Sequence, residues 1–151
     1  VARLGFLGTP ALAVTTLDAL VSAGHDVALV VTRPDAKRGR GGALRKSPVK
    51  LAAEAHGIEV TDDMEALRDA SLEACVVVAY GRIIPSSLLE ELVMVNLHFS
   101  ALPRWRGAAP VERAILAGDS EAGVCVMQVV PALDEGGIYA QAAITVGDKT
   151  L

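Results

Sequence analysis

Short valine-rich runs alternate along the chain with stretches whose apolar positions recur every three to four residues, the two periodicities of buried strands and amphipathic helices. RLGFLG (3–8) reads as a first strand. The turn Gly8-Thr9-Pro10 leads into a helix whose Leu12, Leu17, Leu20 and Val21 share a face and which Gly24 ends. DVALVVT (26–32) is a second strand. Ser47-Pro48 opens a second helix, with serine as N-cap and proline at the first helical position, and Gly57 closes it. IEV (58–60), CVVVAY (75–80) and VMVNLH (93–98) supply three more strands, VERAILAG (111–118) a helix, and GVCVMQVV (123–130) and IYAQAAITV (138–146) the last strands. Strands apolar nearly throughout belong in a sheet covered on both faces. The expected fold is α/β, a doubly wound, mostly parallel, Rossmann-like sheet with ligands beyond the carboxyl ends of its strands.

Composition narrows the class. A chain of 151 residues, 52% apolar and 21% charged, has the size of one domain and is too hydrophobic for a disordered protein. No apolar run approaches the roughly 18 residues of a membrane span, and VARLGFLGTP lacks the features of a signal peptide. A cytoplasmic protein without membrane contact is expected. Cys75 and Cys125 lie alone in apolar runs, which predicts two buried thiols and favours neither a disulfide scaffold nor a metal site.

Charge is uneven. Residues 33–50 (RPDAKRGRGGALRKSPVK) carry seven basic residues against Asp35, net +6, which leaves −10 on the remainder of a chain with net charge −4. Their Gly and Pro content predicts a mobile loop within the domain, neither strand nor helix. A basic loop on an acidic body fits contact with a polyanion, and equally fits a loop kept soluble by its charge.

The chemistry is concentrated in VNLHFSALPRWRGAAP (95–110). Alternation along a strand puts Asn96 and His98 on one side, a carboxamide able to stabilise an oxyanion and an imidazole able to move a proton. Asp134, in the loop PALDEGG between two predicted strands, is the candidate to orient the imidazole; a hydrogen-bonded strand-end histidine beside a turn aspartate is the plainer alternative. Such a set acts on a carbonyl without a covalent intermediate. Gly5-x-x-Gly8 is not GxGxxG and lends little to a nicotinamide reading.

Taken in order, LGFLGTP, RPD…GRGG…KSPVK, VVVAYGRIIP, VNLHFSALPRWRGAAPVERAILAGD and ALDEGGIY resemble the methionyl-tRNA formyltransferase family along essentially the whole chain. The resemblance implies a formyltransferase fold and transfer of a formyl group from 10-formyltetrahydrofolate to the α-amine of initiator methionyl-tRNA, through a tetrahedral intermediate and without metal. It maps the family's catalytic Asn, His and Asp onto Asn96, His98 and Asp134. Asn96 and His98 stabilise the oxyanion, one such donor being worth ~3 kcal/mol, and Asp134 holds His98. It assigns the folate to Tyr80, Gly81, Arg82, Ile83 and Ile84, where Arg82 reads equally well as a solvated turn arginine. It assigns the tRNA acceptor arm to Arg38, Gly39, Arg40 and Gly41, mobile when free and ordering on binding, with Arg106 and a stacking Trp105 assisting; a Trp105 that packs its own loop is the alternative.

Some residues depart from the family. Asp134-Glu135-Gly136-Gly137 replaces Asp-Thr-Gly-Asp or Asp-Ser-Gly-Pro, so that a second carboxylate stands beside Asp134, and Ala101 and Ala11 replace larger or acidic residues. The family continues into a C-terminal β-barrel that these residues do not include, so 1–151 is expected to be a formyltransferase catalytic domain incomplete at its carboxyl end, and monomeric. Two other functions keep the same residues: formyl transfer to an amino-sugar nucleotide or hydrolysis of formyltetrahydrofolate, and binding of folate or RNA by an inactive truncated paralogue.

Overall fold

Residues 3–8 extend because Leu4, Phe6 and Leu7 can all be buried there, and they form β1 (Arg3–Gly8), the strand around which the first part of the chain is built. The structure is a computed structural model that describes residues 1–38 and 42–147, and its contacts divide the chain into two compact units, Val1–Met94 and Val95–Leu151.

In the first unit, α1 (Ala11–Ser22), β2 (Asp26–Val31), β3 (Ala36–Arg38), β4 (Ala43–Arg45), α2 (Pro48–Ala55), β5 (Glu59–Thr61), a 3₁₀ helix (Met64–Asp69), β6 (Ala74–Val78) and α3 (Ser86–Glu91) follow β1. The main strands run parallel in the order β5-β2-β1-β6, with Phe6 level with Val30 on one side and Val76 on the other. Phe6, Leu7, Leu17, Val30, Val31, Val49, Leu67 and Val78 are fully buried, so the sheet is covered on both faces as its apolar runs require. The chain leaves β1 on one side through β2 and β5 and returns on the other through β6. The strand order therefore reverses between β1 and β6, the place where open α/β sheets bind ligands.

Two expectations need correction here. Leu12 is 47% exposed and lies off the buried face of α1, because burial follows Ala13 and Leu17, one helical turn apart. The segment 33–50 is also not a loop throughout: β3 and β4 pair antiparallel, Ala36 opposite Arg45 and Arg38 opposite Ala43, before α2 begins. Ala-Lys-Arg and Ala-Leu-Arg flank a glycine-rich stretch, the arrangement of a hairpin, and counting Gly and Pro hid it. Gly39, Arg40 and Gly41 lie outside the described residues. The start of α2 is as expected, Ser47 Oγ accepting the Lys50 N–H at 3.0 Å.

In the second unit β7 (Met94–His98), which begins at the boundary, is followed by α4 (Pro110–Leu116), β8 (Glu121–Gln128) and β9 (Ile138–Thr145). These strands are antiparallel, β7 to β8 across a 22-residue connection that contains α4, and β8 to β9. β9 is exposed along its whole length. Cys75 and Cys125 are both buried free thiols.

Candidate active site

The pairing of β7 with β8 sets Asn96 opposite Met127 and His98 opposite Cys125, so the carboxamide and the imidazole share the face on which Met127 and Cys125 are buried. His98 Nδ1 stands 3.6 Å from Asp134 Oδ2, with the two side chains only 7% and 12% exposed. That distance is too long for a hydrogen bond. The same carboxylate oxygen accepts the Gly107 N–H at 2.7 Å. His98 Nε2 lies 2.8 Å from the Trp105 carbonyl, which can only accept, so Nε2 carries a proton. The tautomer is thus set by a backbone carbonyl seven residues along, and Asp134 faces the other nitrogen.

The loop that presents this carbonyl is braced. Ser100 Oγ, buried, donates to the Arg104 carbonyl at 2.6 Å, and Arg104 forms a two-pronged bond to Asp119 at 2.7 and 2.9 Å. Trp105 Nε1 donates to the same carboxylate at 2.7 Å, and the Arg104 and Arg113 guanidiniums lie 4.2 and 4.8 Å from the indole centroid. Arg104, and next the indole N–H, hold the Asp119 carboxyl well down, at about 2. Trp105 and Asp134 have φ of 60° and 50°, the left-handed region that side chains rarely occupy. Backbone strain of this kind, about 1–3 kcal/mol per residue, persists where the surroundings over-determine it and is typical of working sites. Gly136 explains itself: a Cβ there would come within 1.9 Å of the Gln128 carbonyl oxygen, whereas at Gly137 a Cβ would meet nothing.

Chemically, the second unit offers a fixed imidazole, a carboxylate and a carboxamide. Its buried hydroxyl, Ser100, is spent on a backbone carbonyl, and the Cys125 thiol donates to the Ser100 carbonyl at 3.2 Å, so neither is a ready nucleophile. Among the described residues no three His, Cys, Asp or Glu side chains gather at metal-binding distance, and no helix is long and apolar enough to cross a membrane.

In the first unit the loop after β6 lies at the reversal of strand order. Thr9 Oγ1, after β1, donates to the Tyr80 carbonyl at 3.1 Å, and Arg33, after β2, donates to the Gly81 carbonyl. Arg82 donates to the Asp62 carbonyl, after β5, and to the Tyr80 hydroxyl, at 3.3 and 3.4 Å. Burial pushes the Tyr80 phenol up. Ile83 is 91% exposed and Ile84 half-buried, so the apolar pair stands at the rim.

A profile of the family described as formyl transferase matches residues 2–150. The chain belongs to the formyl transferase family. It is 49% identical over 154 residues to methionyl-tRNA formyltransferase of Phenylobacterium zucineum (strain HLK1), covering 95% of this chain and 50% of that one. It is 50% identical over 155 residues to the enzyme of that name from Dinoroseobacter shibae (strain DSM 16493 / NCIMB 14021 / DFL 12), covering 96% and 52%. The chain spans about half the length of the curated relatives it matches. The crystal structure of phosphoribosylglycinamide formyltransferase from Bacillus halodurans superposes with a TM-score of 0.79 at 24% identity, over 99% of this chain and 82% of that one, which shows the shared fold.

Within this formyl transferase chain the basic segment is partly neutralised. Lys46 pairs with Glu54 at 2.8 Å, Lys50 with Asp35 at 2.9 Å, and Arg33 is turned to Gly81. Lys37 and Arg45 are exposed on the hairpin, and Arg38 occupies the last position of β3. Arg106 pairs with Glu135 at 3.2 Å, both half in solvent. Trp105 is held by its own loop, the plainer of its two readings. Sequence reasoning missed the Trp105 carbonyl, Asp119, Arg113 and Arg33. A backbone acceptor carries no residue signature, and a lone Asp after a helix reads as any surface charge.

Proposed function

We propose that the chain is the folate-binding and catalytic part of an enzyme that transfers a formyl group from 10-formyltetrahydrofolate to the α-amine of initiator methionyl-tRNA. The observation that carries this reading is the meeting of His98 and Asp134, 36 residues apart in sequence, as a nearly buried pair beside a strand that also bears Asn96. Near-50% identity to proteins named for this activity supports the choice of acceptor.

The amine has a reference pKa of roughly 7.7–8 and is partly neutral near pH 7, so it needs positioning more than activation. It attacks the formyl carbon directly. Charge developing on the formyl oxygen is met by the Asn96 carboxamide and by His98, whose Nε2–H exchanges the Trp105 carbonyl for the substrate oxygen. The exchange leaves the Trp105 carbonyl without this donor, a cost offset by the stronger bond to an oxygen that carries charge. Asp134, fixed by the Gly107 amide, keeps the ring from rotating and balances positive charge on it while the proton passes from the amine to the departing folate nitrogen. Tyr80, Gly81, Arg82, Ile83 and Ile84 receive the folate, backbone groups facing the polar ring edge and the isoleucines covering it. Arg38, Gly39, Arg40 and Gly41 of the basic segment, together with Arg106, receive RNA phosphates. The chain works as a cytoplasmic monomer without metal.

Single-turnover transfer at excess protein tests this, with wild type compared with His98→Ala. Formyl-methionyl-tRNA is expected from the wild type, with a loss of at least about 100-fold in the variant. A folded wild type that binds folate and transfers nothing overturns the reading.

A further inference from the structure

Arg33 lies in the basic segment but does not behave as a free cation. Its guanidinium donates to the Gly81 carbonyl and fills the space a side chain there would take: a Cβ on Gly81 would sit 2.8 Å from Nη2 and 3.2 Å from Cζ. Gly81 has φ +75°, a conformation that favours glycine, and a Cβ there would displace the Arg33 guanidinium. Arg33 is itself held at both ends. Thr32 Oγ1 is bonded to Ser47 Oγ at 2.7 Å in a buried contact, Pro34 restricts the next φ, and Asp35 pairs with Lys50 of α2 at 2.9 Å. A long side chain normally loses much rotamer freedom on being ordered, and anchoring its backbone reduces what remains to be lost.

We infer that Arg33 is a positioning residue for the folate segment: from an anchored backbone it fixes the Gly81 carbonyl, and with Thr9 and Arg82 it presets the Tyr80–Arg82 turn to the shape the folate ring requires. This rests on the assignment of Tyr80–Ile84 to folate made above. It separates Arg33 from the phosphate-binding role that its place in a basic segment suggests.

The experiment is equilibrium binding of 5-formyltetrahydrofolate, whose formyl group is not transferred, to the wild-type chain, Arg33→Ala and Arg33→Lys, beside binding of an acceptor-stem RNA duplex over a range of salt. Arg33→Ala is expected to weaken folate binding roughly tenfold, the size of one lost charge-assisted hydrogen bond. Arg33→Lys recovers part of the loss, because an ammonium still donates to the carbonyl but lacks the pre-organised planar fork of the guanidinium. The salt dependence of RNA binding stays the same in all three. Folate binding unchanged in Arg33→Ala overturns the inference, and so does a loss confined to RNA with the salt slope reduced by about one, the mark of a phosphate contact. A wild type that binds no folate overturns the folate assignment together with it, whereas equal folate binding by wild type and Arg33→Ala removes this inference alone.

Discussion

Asp134 does two separable things, and two substitutions tell them apart. Its Oδ2 accepts the Gly107 N–H at 2.7 Å, and its charge faces His98 Nδ1 at 3.6 Å. Asp134→Asn keeps an acceptor for Gly107 and tolerates φ 50°, since asparagine adopts the left-handed region readily. Its stability is expected within about 1.5 kcal/mol of wild type, the difference between a charged and a neutral acceptor. Asp134→Ala loses a hydrogen bond to a charged group, about 1.5–3 kcal/mol, and pays a further ~1 kcal/mol for alanine at positive φ. The total of roughly 2.5–4 kcal/mol corresponds, at about 2–4 °C per kcal/mol for a chain of this size, to a midpoint lower by some 5–16 °C. Thermal unfolding followed by circular dichroism measures this, and formyl transfer is measured on the same samples. Asp134→Asn should fold normally and still lose at least about 100-fold in transfer, because the charge opposite Nδ1 is gone. The reasoning is refuted if the alanine variant loses less than about 1 kcal/mol, or if the asparagine variant keeps full activity.

Three further outcomes follow from other parts of the structure. The Asp119 carboxyl, held at about 2 when folded against an ordinary 3.8, contributes its full stabilisation above roughly pH 4 and loses it as the pH falls through about 2. Trp105 is the single tryptophan, so its fluorescence should change over that interval; Asp119→Asn should abolish the step, and a midpoint at or above pH 4 in the wild type contradicts the clamp. Burial pushes the Cys75 thiol up to about 11, and Cys125 is equally inaccessible. A thiol reagent at pH 8 should therefore find no thiol in the native chain and both after denaturation, and prompt native labelling would show the packing of β6 or β8 to be wrong. Gly136→Ala must push the loop off the Gln128 carbonyl, at a cost of about 1–3 kcal/mol, whereas Gly137→Ala should be neutral within about 0.5 kcal/mol. Equal melting of the two variants would remove the close approach as the reason for glycine.

The sequence alone determined the main strands, because Val- and Leu-rich runs bounded by Gly, Pro and Asp have few other ways to be buried. Ser47-Pro48 announced α2 through its own local chemistry, and strand alternation put Asn96 and His98 on one side. The family too was legible, in HFSALPRWRGAAP and its ordered companions. Only the tertiary structure decided what each site group touches. Asp134 proves to be bonded to Gly107 and only near His98, the histidine proton answers to the Trp105 carbonyl, and Asp119 anchors the indole. The net +6 of residues 33–50 read as a loop waiting for a polyanion, yet folding spends Arg33, Lys46 and Lys50 on the protein itself and leaves part of the segment as a hairpin. The physical reason is range: strand and helix patterns depend on residues within a few positions and are written in order along the chain. Hydrogen bonds to backbone carbonyls and pairs between distant loops depend on positions that exist only once the sheet is built.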